Sequence, residues 1–285
     1  MNLDKYVPVG VDSETIPTQN VDTIEMLKVT SAKDVVLPSL TKTELLEALK
    51  GQPYPLGGLK VDELKKLWMD EFGGPLLLKE FEKAYRRTSF DAVAGGEVVA
   101  VAGHVFGLNQ TVSNYRWLEQ GTPESNMLPV PSGPTEAELI DKFFRWLENA
   151  NDWARGQSKQ LLLVGANVRN FDMKFLARRA LYHNVDLPNF GICDTSYISR
   201  RYFDVIEAFG FYDRGDKTRY SLKRICDFLG IESPKVDEFG EIDGSMVWDI
   251  WANNGKDGAE RISKYCARDA VVLEPIFNKL HWLVE

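Results

Sequence analysis

Val9-Gly10-Val11-Asp12-Ser13-Glu14-Thr15-Ile16 is the stretch on which the fold of this chain turns. It continues an apolar run that includes Val7, and it predicts a first strand over about residues 7–14. Successive side chains of a strand alternate in direction, so Asp12 and Glu14 share one face. Two carboxylates at the end of a buried strand repel each other and lose hydration, and a divalent cation between them offsets both costs. Oxygen-only ligation suits magnesium or manganese rather than zinc.

Two further acids lie in positions that can join them. Asp172 closes Asn167-Val168-Arg169-Asn170-Phe171-Asp172, just after the apolar run Leu161–Val164 and at the start of a helix carrying Met173, Phe175, Leu176 and Ala180. Asp269 closes Tyr265-Cys266-Ala267-Arg268-Asp269 in a helical stretch, where residues four apart lie on one helix face. Glu136-Ala137-Glu138 and Glu241-Ile242-Asp243 repeat the acid-x-acid pattern and are assigned to solvent.

Around these motifs the periodicity predicts strands at about 98–106, 111–118 and 161–165, and a short one at Phe190–Cys193. Thr135-Glu136-Ala137-Glu138 reads as a capping box before a helix with Leu139, Ile140, Phe143, Phe144 and Leu147 inside. Helices are expected at 172–183, about 196–208, 221–229 and 259–282, with Pro275 kinking or dividing the last. Between the first two strands, Thr41-Lys42-Thr43-Glu44 opens a helical region at about 41–50, 61–72 and 75–87, punctuated by Gly57-Gly58 and Gly73-Gly74. Strands followed by alternating strands and helices predict an α/β (α+β mixed) sheet flanked by helices, with a helical insertion after the first strand.

The chain has 285 residues and a net charge of −8. Between Arg169 and Arg224, however, eleven Lys/Arg face seven Asp/Glu, so this segment carries +4 and the remainder −12. The pairs Arg178-Arg179, Arg200-Arg201 and Lys223-Arg224, with Arg214, Lys217 and Arg219, form a basic region suited to phosphates. The three cysteines (Cys193, Cys226, Cys266) lack zinc-site spacing and fit a reduced compartment, and His104, His183 and His281 read as structural or surface residues. No stretch approaches the roughly 20 apolar residues of a membrane helix. The N-terminus has no basic-then-apolar leader, which points to an intracellular, cytoplasmic protein.

The ordered set D-x-E, N-x-x-x-F-D and Y-x-x-x-D resembles the three exonuclease motifs of the DnaQ-like 3′–5′ exonucleases, in their tyrosine (DEDDy) branch; the histidine branch would carry His where Lys264 stands. The resemblance is to proofreading domains of family B DNA polymerases and their stand-alone relatives. It covers about 7–16 and 90–282, including Tyr220–Gly230 and Asp243–Trp248. It implies an RNase H-like fold with a five-stranded mixed sheet, an exonuclease domain of 1–16 and 90–285, and a 17–89 insertion acting as lid, clamp or decoration.

It further implies two Mg2+ or Mn2+ ions held by Asp12, Glu14, Asp172 and Asp269, and two-metal-ion hydrolysis releasing nucleoside monophosphates from a DNA 3′ end, single-stranded by preference. Tyr265 would orient the attacking water, since a phenol near its ordinary pKa is a poor base. Thr15, Ile16, Asn167, Phe171 and Lys217 would meet the substrate: Thr15 at the 3′-hydroxyl, Ile16 as a wedge between bases, Phe171 by stacking. Replication or repair proteins are implied partners. Two other readings share these residues: an exoribonuclease, and a non-catalytic module that binds nucleic acid or docks on a polymerase.

Overall fold

The computed structural model describes residues 3–31, 41–53, 55–119, 130–192, 201–212 and 220–284. It divides into two compact units, Met1–Ile16 with Gly96–Glu285, and Pro17–Gly95.

The first unit is built on a five-stranded sheet. Strand β1 (Tyr6–Ile16) lies at its centre. Before β2, the second unit contributes helices α1 (Val21–Ser31), α2 (Lys42–Ala48), α3 (Val61–Phe72) and α4 (Gly74–Arg87). Then follow β2 (Glu97–Val105), β3 (Gln110–Tyr115), a small hairpin of β4 (Trp117–Glu119) and β5 (Val130–Ser132), α5 (Glu136–Gly156), β6 (Gln160–Gly165), α6 (Asp172–His183), β7 (Tyr202–Asp204), α7 (Val205–Phe209), α8 (Leu222–Leu229), a hairpin of β8 (Val236–Asp237) and β9 (Gly240–Glu241), and α9 (Val247–Leu280). The sheet order is β3-β2-β1-β6-β7. Strands β1–β3 are antiparallel neighbours, while β6 and β7 run parallel to β1. The fold is thus the expected mixed α/β one, with five strands flanked by helices.

Alternation along β1 and β2 sorts the two faces. Ala100 and Ala102 join the core formed with Trp251, Ile262, Tyr265 and Ala270 of α9. Gly103 points the other way, where any side chain would collide with the Trp146 ring of α5. Gly10 matters in the same manner: a Cβ there would strike the backbone of Ala270, so only glycine lets α9 lie directly on β1. That close approach brings the neighbouring Asp269 to the strand acids.

Local signals account for the helix starts. Thr135 accepts from the Glu138 amide, and Glu138 returns the bond to the Thr135 amide, the reciprocal box that satisfies two orphan donors of α5. Thr41 and Glu44 do the same for α2. In the second unit Leu45, Leu49 and Leu64 form a small core of α2 and α3.

Three expectations are corrected. Phe190–Ile192 form a turn rather than a strand, with Cys193 outside the described residues; the fifth strand is Tyr202–Asp204, inside the span read as a helix. Its Tyr202 hydroxyl donates to the Ile192 carbonyl, so the two segments pack without pairing. The last helix keeps helical dihedrals through Pro275, so it is neither kinked nor divided there; α9 begins earlier than expected, with a break at Gly255 (φ 53°, ψ −135°) just before the predicted start. Glu136 is not solvent-facing: it is 4% exposed and clamped by Arg179 at 2.5 Å and His183 at 2.7 Å, with its Oε1 accepting from the Val98 amide.

Candidate active site

Antiparallel register sets Asp12 opposite Ala102 and Glu14 opposite Ala100, so both carboxylates face α9. Asp269 reaches them from α9. Oxygens of Asp12, Glu14 and Asp269 all lie within 4.8 Å of one another. The register shifts between Glu14 and Thr15, where β2 carries the extra residue Val99, and pairing resumes at Thr15–Val98 and Ile16–Glu97.

The electrostatics of this triad are costly without a cation. Burial pushes the Asp12 carboxyl well above the usual range, and Asp269, Glu14 and Asp172 push it further. Glu14 is raised by burial and by Asp269, with Lys235 pulling the other way. Asp269 is raised by burial despite the opposing Lys235 ammonium. Asp12 Oδ2 and Asp269 Oδ1 are buried with no hydrogen-bond partner. Buried carboxylate oxygens without donors, three acids in one cluster and no sulfur or imidazole among them fit a hard divalent cation.

Asp172 stands apart from the triad. Ser13, on the opposite face of β1 from Asp12 and Glu14, donates to Asp172 Oδ1 at 2.6 Å. Asp172 begins α6 and is 3% exposed; burial pushes its carboxyl up to about 7, against the lowering effect of the Ser13 bond. The fourth acid is thus held beside the cage, near enough to raise Asp12 and Glu14.

Two residues here carry no signal in the sequence. Ser13 is only the middle of D-x-E. Lys235, in the loop after α8, donates to Asp269 Oδ2 at 2.7 Å and to the Tyr265 hydroxyl, with its ammonium 4.2 Å from the Tyr265 ring centre. Tyr265 is 2% exposed, and burial together with Glu14 and Asp269 drives its phenol far above the ordinary value. It stays protonated at any physiological pH; its oxygen accepts from Lys235, and its proton is shared with Asp269, whose carboxyl that hydrogen bond lowers. Cys266 is fully buried beside Asp12 and its thiol is pushed well up by burial, so it packs rather than reacts.

The substrate-facing expectations divide. Asn167 is exposed and left-handed (φ 69°), and Phe171 is half-buried, 5.5 Å from the Phe175 ring. Thr15 is half-buried past the register shift. Ile16 is fully buried in the core with Val99 and Trp251, so it offers no surface to wedge between bases; alternation from Asp12 and Glu14 turns it to the same α9 face. Lys217, with Arg200, Arg214 and Arg219, lies outside the described residues. The basic region is also smaller than its composition suggests: Arg169 and Arg179 are each 4% exposed, Arg179 spent on Glu136, and Lys223 pairs with Glu241.

Residues 107–280 match the family model described as a predicted 3′–5′ exonuclease related to the exonuclease domain of PolB. The chain belongs to this family. The matched span contains Asp172, Tyr265 and Asp269, while Asp12 and Glu14 precede it. The structure of the family B DNA polymerase from the hyperthermophilic archaeon Pyrobaculum calidifontis is similar over 65% of this chain and 22% of that chain, at 17% identity and a TM-score of 0.45. The chain therefore spans about a fifth of that polymerase's length. Among curated proteins no match was found. Among the described residues, no helix is long and apolar enough to cross a membrane.

Proposed function

We propose that this PolB-related exonuclease is a metal-dependent 3′–5′ exodeoxyribonuclease that releases nucleoside monophosphates from a single-stranded DNA 3′ end. The observation that carries the reading is the triad of Asp12, Glu14 and Asp269, partly buried at Asp12, whose oxygens gather within 4.8 Å with two of them lacking any donor. Asp12, Glu14 and Asp269 would hold one Mg2+ or Mn2+, and Asp172 would serve a second beside it. Bound there, divalent ions supply a nucleophile at neutral pH and charge stabilisation at the phosphorus.

The protein's own groups do the rest. Tyr265 aligns the attacking water, held by the Lys235 bond to its hydroxyl. Lys235 keeps Asp269 oriented through its 2.7 Å bond. Asn167 and Phe171 sit on the loop that delivers Asp172; on the exonuclease reading they would meet sugar and base, and Thr15 the terminal hydroxyl. Residues 1–16 and 90–285 are proposed as the catalytic part, with the 17–89 helices as its lid, clamp or decoration. Replication or repair proteins are the proposed partners, in a reduced intracellular compartment.

The test is digestion of single-stranded DNA, duplex DNA and RNA, each labelled at either end, with Mg2+ or Mn2+. Release of labelled mononucleotide from the 3′ end, abolished in Asp12→Ala and Asp172→Ala, is expected. Undiminished release in either variant would overturn the assignment. Preference for the RNA arm would move the substrate class without moving the chemistry.

A further inference from the structure

The loop between β6 and α6 has to place Asn167, Phe171 and Asp172 together, and it does so through an uncommon backbone. Asn167 has φ 69°, in the left-handed region that side chains other than asparagine and aspartate rarely adopt. The turn then tightens on itself: the Asn170 and Phe171 amides both donate to the Asn167 carbonyl, at 3.1 and 2.8 Å, and the Met173 amide to Val168 at 3.2 Å. Gly165 enters this turn, and a Cβ there would collide with Val168. A sparsely populated conformation of this kind persists only where surrounding contacts over-determine it.

Those contacts come from one place, the junction of β7 and α7. Asp204 is completely buried, and its Oδ1 accepts from the Asn167 amide at 3.1 Å. The same oxygen caps α7, accepting from the Ile206 amide at 3.1 Å and the Glu207 amide at 3.4 Å. One turn on, Glu207 Oε1 accepts from Asn170 Nδ2 at 3.2 Å, and Arg169 Nη2 donates to the Tyr202 carbonyl at 3.3 Å. A loop of six residues is thereby fastened at three points to a three-residue strand and a single turn of helix.

Resting on the metal-nuclease reading above, we propose that Asp204 is a positioning residue of the active site. Its Oδ1 holds the Asn167 amide and so keeps the loop in the conformation that presents Asp172 to Ser13 and the metal cage. Asp204 is outside the triad and acts chiefly through the loop, while its charge also helps to raise the Asp172 carboxyl. The shape of its interactions supports this: one oxygen makes all three bonds, while Oδ2 is buried with no hydrogen-bond partner. A cap for α7 alone does not need burial this complete, since a Ser or Thr at the surface caps as well.

The experiment compares wild type, Asp204→Ala, Asp204→Asn and Asp204→Ser by Mn2+ titration calorimetry, with amide hydrogen exchange across 166–171 read alongside. Asparagine keeps the acceptor oxygen. Serine keeps a helix-capping oxygen but is one atom too short to reach Asn167 as well. Alanine and serine are expected to lose about tenfold in Mn2+ affinity, the usual scale for supporting residues, with asparagine within about twofold of wild type. The Asn167–Phe171 amides should exchange faster by on the order of tenfold in alanine and serine only, reporting the lost hydrogen bond. Should alanine fail to fold, serine carries the comparison. Wild-type Mn2+ affinity and exchange in Asp204→Ser, or an Asp204→Asn as impaired as alanine, would overturn the proposal. A wild type that binds no Mn2+ would instead overturn the metal reading, leaving the exchange arm to decide the role of Asp204.

Discussion

Asp12→Asn should make the metal-free protein more stable while ending its catalysis. Asp12 faces Glu14 and Asp269 with oxygens no more than 4.8 Å apart. At an effective dielectric of about 20, each such pair repels by about 3.5 kcal/mol. Lys235, 2.7 Å from Asp269, offsets roughly one of the two. Partial protonation lowers the remainder further, because burial and the neighbouring acids raise the Asp12 carboxyl well above its ordinary value. The surviving gain on removing the charge is on the order of 2 kcal/mol, or about 4–8 °C in melting temperature for a domain of this size.

Asparagine is nearly isosteric, and its amide gives Glu14 or Asp269 a donor where Asp12 Oδ2 now has none. The assay is thermal unfolding of both proteins in chelator and in saturating Mn2+, beside nucleotide release. Metal at about 100 times its dissociation constant stabilises wild type by about 2.7 kcal/mol and should leave the variant nearly unmoved, so the order of melting temperatures narrows or reverses. A variant that melts below wild type in chelator, or one that gains as much from Mn2+, would refute the cation-cage argument.

Lys235→Met removes a largely buried partner of Asp269, so the chelated protein should lose about 3 kcal/mol in urea unfolding while its Mn2+ response grows, the ammonium no longer competing for the site. Tyr265→Phe should slow nucleotide release in single-turnover kinetics while leaving binding of a 3′-fluorescein oligonucleotide within about twofold; equal turnover would remove its aligning role. Asp172 carries a carboxyl raised from 3.8 to about 7, so its stabilising proton is fully bound below pH 4 and lost as pH climbs through 7. The chelated protein should therefore melt lower at pH 8 than at pH 6, and the Mn2+-induced rise should be larger at pH 8, where the ligands are already deprotonated. Glu136→Gln leaves the buried Arg179 charge without its counterion and should cost about 3–5 kcal/mol in urea unfolding.

What the sequence discloses is what its neighbours in the chain decide. Thr135 and Glu138, or Asp12 and Glu14, state their geometry within four residues, and the structure keeps both. Tyr202–Asp204 is too short for any alternation to register, and its strand character comes from pairing with Leu163–Gly165. Glu136 looked like surface because its partners, Arg179 and His183, sit 43 and 47 residues away. Pro275 sits inside α9 without breaking its helical dihedrals, and the break at Gly255 lies before the expected start of that helix at about 259.

The same distinction explains why four acids read from the sequence as one cage stand in the structure as three and one. Asp12 and Glu14 point toward α9 because every second residue of a strand must, and Gly10 lets α9 come close enough for Asp269 to join them. Asp172 arrives from α6, and Ser13, the residue between the two strand acids, has to face away from them and take it up. Ser13 is therefore the link across the strand: through it the position of Asp172 depends on the β6–α6 loop, and through that loop on Asp204. The local hydrogen bonds of Asn167–Met173 shape the turn, and the Asp204 bond to the Asn167 amide fixes where that turn lies. The fourth acid of the motif is set by tertiary contact, and the first three by alternation and one glycine.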